Sequence, residues 1–135
     1  MREFKIHILA SDNAFYEGPC ESLVVPTIRG QYGVLAGHSN LISAVASGKL
    51  SFRVPGGEEQ IVAVSDGIVK IENNEVLVLV DTAERPEEID ENRARRTAEE
   101  AKEALLQKMS KQEYRSTQAQ LARALNRLKV KNTRV

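Results

Sequence analysis

The sequence predicts a β+α protein: an antiparallel β-sandwich or barrel followed by two helices. Residues 4–82 contain short apolar runs separated by turn-forming residues, a pattern typical of many short strands. After residue 84 the apolar residues recur instead at helical spacing. The chain has 135 residues, 41% of them hydrophobic, which suffices for one modest core and an appendage but excludes two large domains. We therefore expect a β domain over residues 1–84 and a helical domain over residues 85–135.

The first strand is predicted by the alternation in FKIHIL, which places Phe4, Ile6 and Ile8 on one face. The later strand candidates are ESLVVP, GVL, GKLSFRV, EQIVAV, GIVKI and EVLVLV. Residues that reach positive φ easily separate several of these runs and suit tight hairpins. These turn formers are Pro55-Gly56-Gly57, Asp66-Gly67 and Asn73-Asn74.

Two helices are predicted after the strands. Both predicted helices have apolar residues at helical spacing. Ser110 followed by Glu113 predicts a capping box at the start of the second helix. A linker of only a few residues makes the pair an antiparallel hairpin or one bent rod. The predicted apolar stripes are Ala94, Ala98, Ala101, Leu105 and Met109 in the first helix, and Tyr114, Leu121, Leu125 and Leu128 in the second.

The seam between the helices is rich in alanine. A buried methyl group contributes only about 0.8 kcal/mol, and the entropy lost on ordering the chain opposes this gain. The hairpin is therefore expected to be marginally stable, so that another surface could compete for its helices.

The net charge of zero is the sum of two unlike halves. Residues 1–84 carry 6 Lys and Arg against 11 Asp and Glu, a net of −5, and residues 85–135 carry 13 against 8, a net of +5. The basic half favours an anionic partner. The single cysteine, Cys20, excludes an internal disulfide, and no apolar run resembles a secretion signal or a membrane span. We expect a protein of a reducing compartment that meets a membrane only through a partner.

The stretch RGQYGVLAGH, residues 29–38, contains three glycines and a histidine. Its spacing fits neither phosphate-binding glycine motif, and no helix pattern follows directly. His38 and Ser39 are adjacent and point apart on a strand, so they do not form a catalytic pair. The residues alone favour a shaped loop in which His38 is hydrogen-bonded. His7 and His38 have no carboxylates at suggestive spacing, so we predict no metal site.

The stretch EIDENRARR allows two interpretations. In the first, Asp90 caps the helix, and Arg93, Arg95 and Arg96 lie in solvent or pair with acidic residues one turn away, Glu99 and Glu100. In the second, Arg93 meets Arg123 and Arg127 of the other helix when the helices fold back. Three guanidinium groups at one end would repel unless an anion such as phosphate joined them.

With these residues in view, the whole chain resembles the epsilon-subunit family of F-type ATP synthases, of bacterial rather than chloroplast type. GQYGVLAGHSNLISAVASGKLSFRV is similar to the family's Gly-x-x-Gly-Ile-Leu-Pro-Gly-His-x-Pro-Leu signature and the strand after it. VLVLVDTAE is similar to the last strand, and IDENRA and LARALNRL to the two helices. Ala36 and Asn40 depart from the signature, which usually has proline at both positions.

The resemblance implies a ten-stranded sandwich followed by a helical hairpin, and a non-catalytic subunit of a proton- or sodium-translocating synthase. It implies a rotor subunit that joins the gamma subunit to the membrane c-ring at the cytoplasmic face of the cell membrane. It also implies helices that extend into the alpha/beta hexamer and block ATP hydrolysis. The docking residues that it implies toward gamma and the c-ring are Gly30, Gln31, Gly33, Gly37 and His38.

Some bacterial members of this family bind regulatory ATP on the folded hairpin through an Ile/Leu-Asp-x-x-Arg-Ala motif and arginines of the second helix. No cofactor is otherwise implied. One further arginine of those members falls at Ser116, and Arg115 points about 100° away from that position. The residues that match the ATP-binding set are Glu84, Ile89, Asp90, Arg93, Ala94, Arg123 and Arg127.

Two other classes of function remain as alternatives. A small enzyme could use His38, Asp66 or Cys20. A sandwich with a basic tail could bind nucleic acid, but the strand half is acidic and six aromatic residues are too few for a base-stacking platform. We therefore expect no nucleic-acid partner.

Overall fold

The computed structural model describes residues 2–107 and 110–133. The chain divides into two compact units, residues 1–85 and residues 86–135. The change from strand-like to helical spacing of apolar residues predicts the boundary after residue 84, one residue earlier than observed. Met109, which the sequence places in the first helical stripe, lies outside the described residues.

The first unit consists of ten strands in two five-stranded sheets, which confirms the predicted fold class. Sheet A has the order β2-β1-β9-β8-β5, and sheet B has the order β10-β7-β6-β3-β4. The strands are β1 (Phe4–Ala10), β2 (Ala14–Cys20), β3 (Ser22–Thr27), β4 (Gly30–Leu35), β5 (Leu41–Val45), β6 (Gly48–Arg53), β7 (Glu59–Val64), β8 (Gly67–Glu72), β9 (Glu75–Val80) and β10 (Ala83–Glu84).

The sandwich departs from the antiparallel prediction at one pair of strands. β1 pairs in parallel with β9, with Lys5 opposite Glu75 and Ala10 opposite Val80, whereas the other pairs are antiparallel. Parallel neighbours need a long connection. Here the whole of β2 to β8 separates the two strands along the chain, and alternation within a single strand carries no information about such a distant partner.

The sandwich core is aliphatic, as the low aromatic content predicts. Phe4, Ile6 and Ile8 of β1 are all buried, which confirms the predicted inward face. Phe52 is the largest fully buried side chain among the described residues. The centroid of its ring lies 5.1 Å from that of the Tyr16 ring. The remaining core side chains are Cys20, Leu23, Val25, Val34, Val45, Leu50, Val62, Val64, Val69, Ile71, Val76, Val78 and Val80.

Two of the three predicted turns are confirmed as hairpin turns. Gly56 has a φ of +74° between β6 and β7, and Asn73 and Asn74 have φ values of +52° and +62° between β8 and β9. The hairpin predicted at Asp66-Gly67 is wrong, because β7 and β8 belong to different sheets. The chain crosses between the sheets there.

Gly67 is needed at this crossing for a reason other than φ. A Cβ at this position would overlap the backbone carbonyl oxygen of Leu79 and lie 2.7 Å from the Cα of Val80. Glycine is the residue that permits such a close approach of two backbones.

The second unit contains a short 3₁₀ turn, Pro86–Glu88, and two helices, α1 (Glu91–Leu105) and α2 (Lys111–Thr133). Asp90 caps α1, because its side chain accepts a hydrogen bond from the Arg93 N–H at 3.0 Å. Ser110 Oγ accepts from the Glu113 N–H at 3.1 Å and donates to the Glu113 carboxylate, also at 3.1 Å. Both predicted caps are therefore confirmed.

The helices pack as an antiparallel hairpin. Lys131 near the end of α2 donates to the Pro86 carbonyl oxygen, ahead of α1, at 3.1 Å. The seam is rich in alanine, as predicted: the buried side chains of the two helices are Ala94, Ala98, Ala101, Ala124 and Val130.

The predicted stripe of α2 is wrong at two positions. Tyr114 and Leu125 are both 43% exposed, and Ala124 is buried in place of Leu125. Adjacent helical residues point about 100° apart, so the helix is rotated relative to the predicted leucine face. The small alanine side chains permit a close approach of the helices, and leucines on the seam would hold them apart.

Candidate docking edge and arginine cluster

The Gly-rich stretch forms an open edge of the sandwich. β4 is the last strand of sheet B, and within residues 2–107 and 110–133 it pairs with β3 alone, so its other side offers an open strand edge. Gly30, Gln31 and Gly33 on this strand are exposed, as is Gly37 in the loop after it. We call residues 30–38 the docking edge.

His38 is held by three hydrogen bonds, two of its ring and one of its backbone N–H. Its Nδ1–H donates to the Ser39 carbonyl oxygen at 2.7 Å. In the neutral ring the other nitrogen, Nε2, then accepts from the Tyr32 hydroxyl, also at 2.7 Å. The His38 backbone N–H donates to the Leu35 carbonyl at 3.2 Å. The prediction of a hydrogen-bonded loop histidine is confirmed.

The glycines of the docking edge differ in what they require. Gly37 has a φ of +79°, and Gly30 has a φ of +113°, so both occupy backbone conformations that other residues rarely adopt. Gly33 does not: its φ lies outside the positive region, and a Cβ there meets nothing within 4 Å. The fold of this chain therefore does not itself require glycine at position 33.

Three exposed apolar side chains flank the docking edge and were missed from the sequence. Ile28 in the β3–β4 turn is 84% exposed, Leu35 at the end of β4 is 65% exposed, and Ile42 on β5 is 67% exposed. β5 is the edge strand of sheet A, and it packs against β3, so both sheets end on this side. Successive side chains of a strand point to opposite faces, so counting along the strands from the inward-facing Val34 and Val45 would have placed Leu35 and Ile42 on the outer face.

The three arginines of the predicted cluster lie on helix segments at the same end of the hairpin. Arg93 is exposed in the first turn of α1, and Arg123 and Arg127 are half-buried in the C-terminal half of α2. The antiparallel packing brings these two helix segments to the same end. Ser116 is exposed near the start of α2, about 10 Å along the helix axis from Arg123.

The other members of the predicted ATP-binding set have structural roles or lie elsewhere. Ile89 and Ala94 are buried, and Asp90 is the cap of α1. Glu84 belongs to β10 of the sandwich unit. Arg95 pairs with Glu91 at 2.9 Å, one turn before it, rather than with either of the acidic residues after it.

The side chains considered for a small enzyme are each bonded elsewhere. Cys20 is buried, its thiol donates to the Ser22 carbonyl at 3.0 Å, and burial raises its pKa, which disfavours the nucleophilic thiolate. Asp66 accepts from the Ser47 hydroxyl at 3.2 Å, and His38 is held by Tyr32 and Ser39. These contacts give no support to a catalytic group.

A charged cluster on sheet A was also missed. His7 Nδ1 lies 2.7 Å from a Glu17 oxygen, and His7 Nε2 lies 2.7 Å from a Glu75 oxygen. These hydrogen bonds raise the pKa of His7, with the Glu17 bond contributing most. The imidazole links β2, β1 and β9, so its partners depend on strand register and are 10 and 68 residues away in sequence.

Among the described residues, neither helix combines the length and the hydrophobicity that crossing a membrane requires. Two family models match the chain. The model described as ATP synthase, Delta/Epsilon chain, beta-sandwich domain matches residues 3–86, and the model described as ATP synthase, Delta/Epsilon chain, long alpha-helix domain matches residues 87–132.

Curated relatives match over nearly the full length. The ATP synthase epsilon chain of Ruminiclostridium cellulolyticum is 40% identical over 134 residues, which cover 99% of both chains. That of Caldicellulosiruptor saccharolyticus is 37% identical over 130 residues, which cover 96% of this chain and 94% of the relative.

Solved structures share the fold. A chain of the Euglena gracilis mitochondrial ATP synthase superposes with a TM-score of 0.78 at 23% identity, over 90% of this chain and 77% of that one. A chain of the Tetrahymena thermophila mitochondrial ATP synthase central stalk and c-ring superposes with a TM-score of 0.69 at 10% identity, over 94% and 95%. At these identities the superpositions establish the fold alone.

A β-sandwich followed by a helical domain is the architecture that the two family models describe. The matches are consistent with this over the full chain. The chain belongs to the ATP synthase delta/epsilon chain family, and its curated relatives make it an epsilon-type, non-catalytic subunit of the F-type ATP synthase.

Proposed function

We propose that this chain is a rotating central-stalk subunit that joins the gamma subunit to the c-ring through the docking edge. The observation that carries this proposal is the open β4 edge, which combines exposed glycines with the exposed apolar side chains of Ile28, Leu35 and Ile42. Unpaired strand edges and exposed apolar patches are typical of protein interfaces. In this assembly the chain lies at the cytoplasmic face of the membrane and touches the bilayer only through the c-ring.

The substitution Gly37→Val tests this docking. Valine at a φ of +79° is strongly disfavoured, so the loop must change conformation. The nearest side chain, that of Arg2, is flexible and can move, and the sandwich core lies elsewhere. We expect the affinity for the gamma subunit, measured by titration of the full chain, to fall at least tenfold while the far-UV circular dichroism spectrum is unchanged.

Gly56→Val is the matched control for this substitution. Gly56 has nearly the same φ, +74°, and open space around it, but it lies in the β6–β7 turn rather than in the docking edge. The control therefore carries similar backbone strain at a different place. Equal gamma affinity of Gly37→Val and the wild-type chain would count against the docking edge.

We further propose that α1 and α2 inhibit ATP hydrolysis by opening into the alpha/beta hexamer. The seam that holds the hairpin closed buries four alanines, whose methyl groups contribute only about 0.8 kcal/mol each. Residues 110–116 at the start of α2 are exposed, as are Leu106 at the end of α1 and Leu125. The closed hairpin thus leaves apolar side chains available to another surface.

The dimensions and charge of the helical half also support inhibition. Opened into one rod, about 40 helical residues extend roughly 60 Å. Residues 85–135 carry 13 Lys and Arg against 8 Asp and Glu, so an acidic partner surface would attract them.

ATP bound at the arginine end is proposed as the signal that keeps the hairpin closed. Arg93, Arg123 and Arg127 belong to two helices, so an anion that contacts all three stabilises the closed form. A ligand present at 100 times its dissociation constant contributes about 2.7 kcal/mol, which is comparable to the contribution of the alanine seam. Low ATP would then release the helices to inhibit hydrolysis.

Calorimetric titration of the full chain with ATP tests this site. We expect measurable binding at millimolar ATP, its loss in the double variant Arg123→Ala, Arg127→Ala, and tighter binding by about tenfold in Ser116→Arg, because a hydrogen bond to a charged group contributes about 1.5–3 kcal/mol. Arg95→Ala is the matched control, since Arg95 pairs with Glu91. Equal binding by the double variant, or no heat at millimolar ATP, contradicts the proposal.

A further inference from the structure

The loop that joins β4 to β5, residues 36–40, is attached to a distant part of the sandwich. The Gly37 N–H donates to Asn74 Oδ1 at 2.8 Å. The Asn74 side-chain amide in turn donates from Nδ2 to the Glu3 carbonyl at 3.0 Å. One asparagine side chain therefore ties the docking edge to the segment that leads into β1.

A second hydrogen bond joins the β4–β5 loop to the β8–β9 turn. The Asn73 backbone N–H donates to Asn40 Oδ1 at 3.1 Å. The loop thus donates its Gly37 N–H to a side chain of the β8–β9 turn, and its Asn40 side chain accepts a backbone N–H of that turn. The partners are 37 and 33 residues apart in sequence, so neither bond forms part of a local turn.

The β8–β9 turn has two residues, since Glu72 pairs with Glu75 across it. Both turn residues have positive φ, as a type I′ turn requires, and glycine would satisfy this requirement as well as asparagine does. The conformation of the turn therefore does not by itself require the Asn74 side chain. The side chain instead meets the backbone N–H of a glycine whose own φ is +79°.

We propose that Asn74 is a positioning residue for gamma binding: its side chain holds the loop at Gly37 and thereby fixes the conformation in which the docking edge meets its partner. This inference rests on the proposed docking function. Without the side-chain oxygen of Asn74, the backbone at Gly37 would sample other conformations, and the docking edge would be less well preorganised for binding.

The variant Asn74→Gly tests the proposal, because it retains the positive φ and removes the side chain. In the full chain we expect amide hydrogen exchange at Gly37, measured by NMR, to be about fivefold faster or more. We expect the affinity for the gamma subunit to be about fivefold weaker, as for the loss of one neutral hydrogen bond. The midpoint of urea unfolding should hardly move.

Two further variants separate the loop bond from other roles of this turn. Asn73→Gly changes the neighbouring turn residue but keeps the backbone N–H that donates to Asn40 Oδ1. Hydrogen exchange at Gly37 and affinity for the gamma subunit should therefore match those of the wild-type chain. Asn74→Asp keeps an acceptor oxygen for the Gly37 N–H and loses the donor to Glu3, so it should restore both readouts.

Each contrary result has a distinct meaning. Wild-type exchange at Gly37 in Asn74→Gly overturns the proposed attachment. Faster exchange with unchanged gamma affinity overturns the positioning role, provided that Gly37→Val weakens binding. If Gly37→Val also leaves the affinity unchanged, the docking function itself fails, and the positioning role fails with it.

Discussion

Deleting residues 88–135 is expected to raise the ATPase rate of the assembled synthase several-fold. The deletion removes both helices and with them the basic surface proposed to enter the alpha/beta hexamer. The sandwich unit keeps its own core and the docking edge, so the truncated chain should still join the complex. The measurement is the steady-state rate of ATP hydrolysis by the purified complex.

The truncation experiment needs two controls. Gel analysis must show that the truncated chain is present in the complex in the wild-type ratio, because loss of the subunit would also change the rate. Ion pumping driven by ATP should persist, since coupling is assigned to the sandwich. An unchanged hydrolysis rate in a fully assembled complex would rule out inhibition by these helices.

The substitution Gly67→Ala is expected to destabilise the sandwich by about 3 kcal/mol, the upper end of the usual cost of overpacking. The added Cβ would overlap the Leu79 carbonyl oxygen where β8 begins beside β9, and the Val80 Cα lies only 2.7 Å away. Both atoms belong to the backbone, so relief requires the strands to separate. A loss of this size is a large fraction of the ~5–15 kcal/mol by which domains are stable. Urea unfolding monitored at the sandwich tyrosines measures it.

Gly33→Ala is the matched control for Gly67→Ala, since both glycines lie in strands. A Cβ at Gly33 meets nothing within 4 Å, and its φ is ordinary, so the change should leave stability unchanged or raise it slightly. The same variant also tests the docking edge. If Gly33→Ala weakens binding to the gamma subunit without lowering the urea midpoint, the partner approaches Gly33 closely. Equal urea midpoints for the two variants would refute the close approach at Gly67.

Local features of this chain could be predicted because their partners lie a few residues away. The inward face of β1 follows from strict alternation, and the caps at Asp90 and Ser110 act on N–H groups three residues further on. The His38 bonds also reach neighbours within six residues. The weakness of the hairpin seam follows from the alanines themselves, whatever their exact orientation.

The resemblance to a family added what composition and spacing left open. Alternation alone predicted a sandwich or a barrel, and the count of ten strands came from the resemblance over the whole chain. The family signature around residues 30–54 also favoured a docking edge over a loop without a binding role. The residues by themselves indicated only that His38 is hydrogen-bonded there.

Features that depend on distant partners were decided by the tertiary structure. The parallel pairing of β1 with β9 and the crossing between sheets at Gly67 both require knowledge of which strands become neighbours. Asp66-Gly67 has the composition of a hairpin turn, but its glycine serves a close approach to β9 instead. The rotation of α2, which buries Ala124 rather than Leu125, depends on how closely α1 packs.

The sequence by itself determined that a strand-rich half precedes a helical half, where the helices are capped, and that their seam is rich in alanine, because short-range geometry and side-chain size depend on neighbouring residues. The tertiary structure decided that the edge strands β4 and β5 lie on the same side of the sandwich, and which asparagine meets Gly37 across 37 residues. Such contacts arise only when a core shared by both sheets brings remote segments together, since their separation along the chain leaves no periodic signal.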